Sequence, residues 1–212
     1  MFENITPEHS VALDAIIKAR HSVRAFSSSP PSQETIEAII QAGLLASFAA
    51  LAVAGKPDFR KVFVIRKSSS AMEAAANILK SRIAKQADEL EKKMGPVPFV
   101  ENLKRIGQQG IPSVDSAPYF VIVGERKGMP PAAAQSLCYC LHNMWLKATS
   151  LGIGLQLISA TTQMDSDPDF CRLLGIPDGE YALDGCVLGY PADKYQPPSV
   201  EYPTLEKSVR WL

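Results

Sequence analysis

The sequence predicts an α+β fold, one sheet held between long helices. Three observations predict it. Helical patterns outnumber strand patterns. The four short apolar runs are spaced too irregularly for a doubly wound nucleotide-binding sheet. One long Ala-rich helix is apolar on most of its sides, which marks it as central. The 212 residues, 46% hydrophobic and 21% charged, suit a single domain over 1–212 with a helical insertion at about 70–112. A chain of this size buries a sizeable core without disulfides or structural metal.

The elements follow in order. Residues 6–20 place Val11, Leu13, Ile16 and Ile17 at helical spacing behind the start signal Thr6-Pro7-Glu8. After "SSSPPS", Ser32 is the expected N-cap of a second helix over 33–53, amphipathic at first and apolar all round later. Its end, "AGLLASFAALAVAG" (42–55), is too short to span a membrane and reads as a buried core helix. "RKVFVIR" (60–66) reads as a short buried strand. A charged helix from 70 to about 94 and a shorter one through "VPFVENLKRIGQQG" make up the insertion. "APYFVIVGE" (117–125) is the second strand, and "PPAAAQSLCYCLHNMWLKATSLG" is the central helix, opened by Pro and closed by Gly152. "IGLQLIS" (153–159) is the third strand, "DSDPDFCRLLG" a short helix and "EYALDGCVLGYP" (180–191) the fourth strand.

Lys plus Arg and Asp plus Glu both number 22, so the net charge is zero and no basic footprint for nucleic acid exists. The N-terminal stretch lacks the pattern of a signal peptide, and no run is long enough for a membrane helix. The expected location is cytoplasmic, with no membrane and no nucleic-acid partner. Cys138, Cys140, Cys171 and Cys186 show neither disulfide-framework nor zinc spacing. They read as reduced structural cysteines, with Cys138 and Cys140 on different sides of their helix. No metal is expected.

"ARHSVRAF" (19–26) sets Arg20, Ser22 and Arg24 at every second position, with His21 between the first two. In an extended chain the three share a face, and Arg20 to Arg24 spans roughly 13 Å at about 3.3 Å per residue. That reach suits a phosphate at one end and a polar heterocycle at the other, since guanidinium forks and a hydroxyl are good phosphate donors. The alternative is that Arg20 and His21 complement a helix C-terminal dipole. That account covers Arg20 but leaves Arg24, beyond the last turn, unexplained.

With its flanking helices, this pattern resembles the opening motif of the FMN-dependent nitroreductase family. "APYFVIVG" is similar to that family's central strand, and "AQSLCYCLHNMWLKATSLGIGLQLIS" to its core helix and the flavin-contacting strand after it. "LLGIPDGEYALDGCVLGYPA" and the closing "PTLEKSVRWL" resemble two further segments in the right order. The resemblance implies an intertwined homodimer binding FMN at the subunit interface. It implies ping-pong reduction of small electron-poor organic substrates, such as nitro compounds or quinones, by NADH or NADPH. Carried over, Arg20 and Ser22 hold the FMN phosphate with His21 alongside, and Arg24 faces the ribityl chain or the O2/N1 edge. Leu157, Ile158, Ser159 and Ala160 lay backbone amides near N5, and the flavin itself carries the chemistry.

The chain departs from the family in two places. Where the family usually shows Pro-Ser-x-x-Asn-x-Gln-Pro-Trp, this chain reads "LASFAALAVAGKPDFRKVFVI". The basic residue before the closing Pro-Leu-Glu run is replaced by Glu201 and Tyr202, leaving Lys194, Lys207 or Arg60 as candidate substitutes. These departures favour an alternative, a flavin-binding, sensing or cofactor-poor dimer without robust reductase activity. Among other candidates, His142 reads as a core or interface histidine. Tyr139 and Trp145 read as core or dimer packing, and 80–93 as a solvated helix face or a lid over the flavin.

Overall fold

The computed structural model describes residues 4–193, 195–197 and 199–211. Four antiparallel strands, β1 (Arg60–Arg66), β2 (Tyr119–Arg126), β3 (Gly154–Leu157) and β4 (Tyr181–Gly189), form one sheet in the order β1-β2-β4-β3. The two central strands are the most continuously apolar runs, as strands buried on both faces must be. Their register sets Val121 opposite Cys186 and Val123 opposite Asp184.

Alternation along the strands feeds two cores. Phe120 and Ile122 of β2 and Val187 of β4 face Met72 and Leu79 of α4 (Ser70–Met94) and Phe170 of α8 (Pro168–Leu174). Val121, Leu155 and Leu188 face the other way. They meet Ile36 and Ile39 of α2 (Gln33–Leu44) and Leu137, Leu141 and Met144 of α7 (Ala133–Ser150). This is the expected sheet between helices. Cys140 and Cys186 lie in the second core, where burial pushes the Cys140 thiol up to about 11 and the Cys186 thiol higher still. Cys138, two residues from Cys140, is exposed, and all four cysteines are free.

Helix caps follow from local chemistry. The Ser32 hydroxyl accepts from Thr35 N–H at 3.2 Å, and the Ser69 hydroxyl accepts from Met72 N–H at 3.1 Å to open α4. Helix α5 (Pro98–Gln109) starts on a proline and ends at Gly110, and it packs along α4. A short helix, α6 (Pro112–Ser116), follows; the sequence pattern did not indicate it.

The expected single helix over 33–53 is in fact broken. α2 stops at Leu44, and only the short α3 (Ala50–Val53) resumes it. The cause is Arg60, whose guanidinium takes the carbonyls of Gly43 at 3.3 Å and Ala46 at 3.1 Å, so the end of α2 is closed by a side chain from β1. Nor is 42–55 a buried core helix: Leu45 is 75% exposed and Leu51 86% exposed. β1 is likewise an edge strand, half-buried, with Val64 open to solvent. β3 is shorter than expected and passes into a 3-10 turn at Ser159–Gln163.

Further apolar surface stands open. No residue of α1 (Pro7–Ala19) is buried, and Val11, Leu13 and Ile17 are exposed. The tail beyond Val200, with α9 (Leu205–Ser208), carries Trp211 at 93% exposure. Among the described residues, no helix is long and apolar enough to cross a membrane.

Candidate functional site

The chain leaves α1 at Arg20 in extended conformation and runs onto the free edge of β3. Ser22 forms a parallel bridge with Leu155, and Val23 N–H donates to the Leu155 carbonyl at 3.1 Å. Val23 is buried against Gly154, where any Cβ would lie 2.7 Å from the valine side chain. Only glycine allows this approach. Further on, Phe26 bridges Pro191, and Ser27 N–H donates to the Tyr190 carbonyl at 2.9 Å. With Val23 inward, Ser22 and Arg24 turn outward, as extended geometry demands.

The side chains of this stretch divide into anchored and open ones. The Arg20 guanidinium lies 4.5 Å over the Trp145 ring, and the Trp145 indole N–H donates to the His21 carbonyl at 3.3 Å. His21 Nδ1 lies 2.7 Å from the Ala19 carbonyl, which can only accept, so the proton sits on Nδ1. The imidazole stacks on Tyr195 with ring centroids 5.8 Å apart, and the Tyr195 hydroxyl donates to the Ser22 carbonyl. Arg24 is exposed. Among the described residues, neither Arg20 nor Arg24 has a carboxylate partner. The clamp by Tyr195 had no sequence signal, because it lies 173 positions from Ser22.

The second part of the site begins where β3 ends. Ile158 N–H donates to the Gly185 carbonyl at 2.8 Å. Its own carbonyl accepts from Thr161 N–H at 3.0 Å and from the Thr161 hydroxyl at 2.6 Å. A trans peptide points its N–H opposite to its C=O, so this pinning turns Ser159 N–H away from the 3-10 turn. Neither Ser159 nor Ala160 N–H donates to a backbone carbonyl among the described residues. Below them, Asp184 accepts from Gly185 N–H at 2.7 Å and lies 3.2 Å from the Thr161 hydroxyl, and burial pushes its carboxyl up.

Leu157, Ile158, Ser159 and Ala160 together line a cavity of about 370 Å³. Its far wall is Ile83 and Gln86 of α4 with Phe99, Leu103 and Ile106 of α5, and among the described residues no charged side chain lines it. Gln156 also lines this cavity, and its Oε1 is buried with no partner among the described residues. Arg20, His21, Ser22 and Arg24 do not line this cavity; β3 joins them to it. His21 and Val23 instead border a separate cavity of about 190 Å³ beside Gly152 and Pro191.

The other sequence candidates fall elsewhere. Arg60 is not a spare phosphate cation. Its Nε donates to Glu125 at 2.6 Å, and both side chains are 2% exposed. Lys207 sits in the exposed tail, and Lys194 lies outside the described residues. His142 is not a core residue; it is exposed on α7, on the same side as Cys138 and Tyr139. Trp145 is half-buried and serves Arg20.

The model of the nitroreductase family matches residues 17–190. No curated protein matches the chain in sequence. Among solved structures, a nitroreductase with bound FMN from Bacteroides fragilis superposes with a TM-score of 0.73 at 22% identity, covering 94% of this chain and 98% of that one. A BluB-like flavoprotein from Clostridium difficile gives 0.72 at 21%, with the same coverages of 94% and 98%. An iodotyrosine deiodinase bound to FMN and 3-iodo-L-tyrosine gives 0.67 at 18%, again covering 94% and 98%. With a family match running from the end of α1 through β4, the chain belongs to the nitroreductase family.

Proposed function

We propose that the protein is an FMN-dependent oxidoreductase of nitroreductase type. In this reading it reduces small electron-poor organic substrates, nitro compounds or quinones, with NADH or NADPH in ping-pong fashion. The observation that carries the reading is the direct passage from the Arg20–Arg24 stretch, paired to β3, into an uncharged cavity floored by 157–160. FMN named in structures of related fold supports the same cofactor.

The residues present fit such a group. A flat neutral heterocycle suits apolar walls with amide edges. At the other end, Arg20, Ser22 and Arg24 hold the phosphate and the polar chain, while Tyr195 and Trp145 fix the backbone and guanidinium that do so. Ser159 N–H, turned outward by the Thr161 pin, and the neighbouring Ala160 N–H stabilise the charge that reduction adds. When bound, FMN supplies hydride and electron transfer. The apolar side chains of α4 and α5, read as an insertion covering the site within one domain, exclude water from it.

In the same reading the protein is a cytoplasmic homodimer. Leu45, Leu51, the face of α1 and the tail to Trp211 form more open apolar surface than a monomer keeps, and a second copy covers it. Light scattering on the purified protein is expected to give twice the chain mass at low concentration. A stable folded monomer contradicts the dimer. The alternative, a flavin-sensing or cofactor-poor dimer, is favoured by the open apolar segment at 44–51 that stands where the family presents an amide.

One experiment separates these. Flavin released by heat should chromatograph as FMN, because the chain offers one phosphate site and no Gly-x-Gly-x-x-Gly turn for a pyrophosphate. Under anaerobic conditions NADH or NADPH should bleach the bound flavin. Recovery of FAD, or of no flavin after reconstitution, overturns the reading. Bound FMN that neither nucleotide bleaches supports the sensing alternative.

A further inference from the structure

We propose that Asp184 is a positioning residue that sets, through Thr161, how strongly the Ser159 N–H donates at the cavity floor. The inference rests on the flavin reading above and deepens it. The protonation state of Asp184 tunes the balance between oxidised and reduced cofactor.

The wiring follows from one proton. The hydroxyl of Thr161, a fully buried residue, stands 2.6 Å from the Ile158 carbonyl and 3.2 Å from Asp184 Oδ1. Both can accept from it, and a hydroxyl has a single proton to give. A protonated Asp184 leaves that proton on the Ile158 carbonyl and donates its own to the Thr161 oxygen, while Oδ1 still accepts from Gly185 N–H at 2.7 Å. An ionised Asp184 is the stronger acceptor and draws the Thr161 proton to itself. The Ile158 carbonyl and the Ser159 N–H are the two ends of one peptide. A bond at the carbonyl therefore strengthens the donor at the other end.

The surroundings leave this choice to Asp184. It lies on the same side of β4 as Cys186, across from Val123 of β2. Glu125, further along β2, is closed in an ion pair with Arg60 of β1. Helix α7 brings the Cys140 thiol, and burial raises both thiols and keeps them neutral. β3 and the 3-10 turn carry no titratable side chain. Burial raises the Asp184 carboxyl, against the Gly185 N–H and the Thr161 hydroxyl, so its changeover moves up from the usual carboxylate range. Below the changeover the amide donor is at its strongest and favours the added charge of reduction. Above it the polarisation is lost and a carboxylate stands beneath the turn, which disfavours that charge.

The test measures the midpoint potential of bound FMN against pH in wild type, Asp184→Asn, Thr161→Val and Thr161→Ser. Asp184→Asn is neutral throughout and keeps the Thr161 proton on the carbonyl, whereas Thr161→Val has no proton to place. Wild type should therefore run with Asp184→Asn at acid pH and with Thr161→Val at alkaline pH. The two branches should differ about tenfold in affinity for reduced over oxidised FMN, or ~30 mV for two electrons. Thr161→Ser should follow the wild-type curve.

Wild type that runs parallel to Asp184→Asn at every pH overturns the proposal, as does a fixed offset between wild type and Thr161→Val. If Asp184→Asn does not fold, the second comparison decides alone, with Thr161→Ser as its control. Either of those patterns leaves the flavin reading standing, whereas wild type that binds no FMN removes both.

Discussion

Replacing Glu125 with alanine is expected to cost about 3–5 kcal/mol of stability, because it strands a buried guanidinium. Glu125 is 1% exposed and is held by Arg60 Nε at 2.6 Å. The loss extends beyond one ion pair, since the same guanidinium carries the carbonyls of Gly43 and Ala46 at the end of α2. Glu125→Gln keeps an acceptor and should cost less. Replacing both partners with apolar residues often restores such a loss. Here it should restore only part of it, because the two carbonyls are then left unpaired. Equilibrium denaturation of the four proteins at a common concentration checks the order. Equal midpoints for Glu125→Ala and wild type would sink it.

The second large effect concerns the cofactor. Arg20→Gln and Arg24→Gln should each weaken FMN binding by roughly 1.5–3 kcal/mol, about ten- to a hundredfold, the range for charge-assisted bonds. The structure separates the two variants in the absence of flavin. Arg20 closes α1 and stacks on Trp145, so its loss should also cost the apo-protein about 1 kcal/mol of stability and lower its melting temperature. Arg24 is exposed and unpaired among the described residues, so its loss should leave the apo melt unchanged. Flavin titrations beside apo melts give the answer. Unaltered flavin affinity in both variants would return the stretch to a helix-end role.

Elements were legible where one local signal decided them. β2 opens on the unbroken apolar run 119–123, β4 is apolar but for Asp184, and α4 carries its serine cap and closing glycine. The α2 break was illegible for a definite reason. Apolar composition predicts burial, whereas the end of α2 is set by Arg60, well downstream in the chain and invisible to local periodicity. Leu45 and Leu51 then stay open on the chain's own surface. The site was legible in halves. Alternation put Ser22 and Arg24 on one side of Val23, and the residues that the resemblance singled out at the end of β3, 157–160, line a cavity. Missing was Tyr195, which comes to Ser22 only through the fold.

One contact in the insertion has a mechanical consequence. A Cβ on Gly107 would lie 2.8 Å from the Ala84 backbone, so α4 and α5 touch main chain to main chain. Lys104 and Glu91 add an ion pair at 2.6 Å between the same helices. Two rods seated that closely cannot part like jaws without losing their whole shared seam. Ile83 from one rod and Leu103 and Ile106 from the other face the same cavity. The two helices therefore stand as one rigid wall, which Met72 and Leu79 of α4 tie to the sheet core.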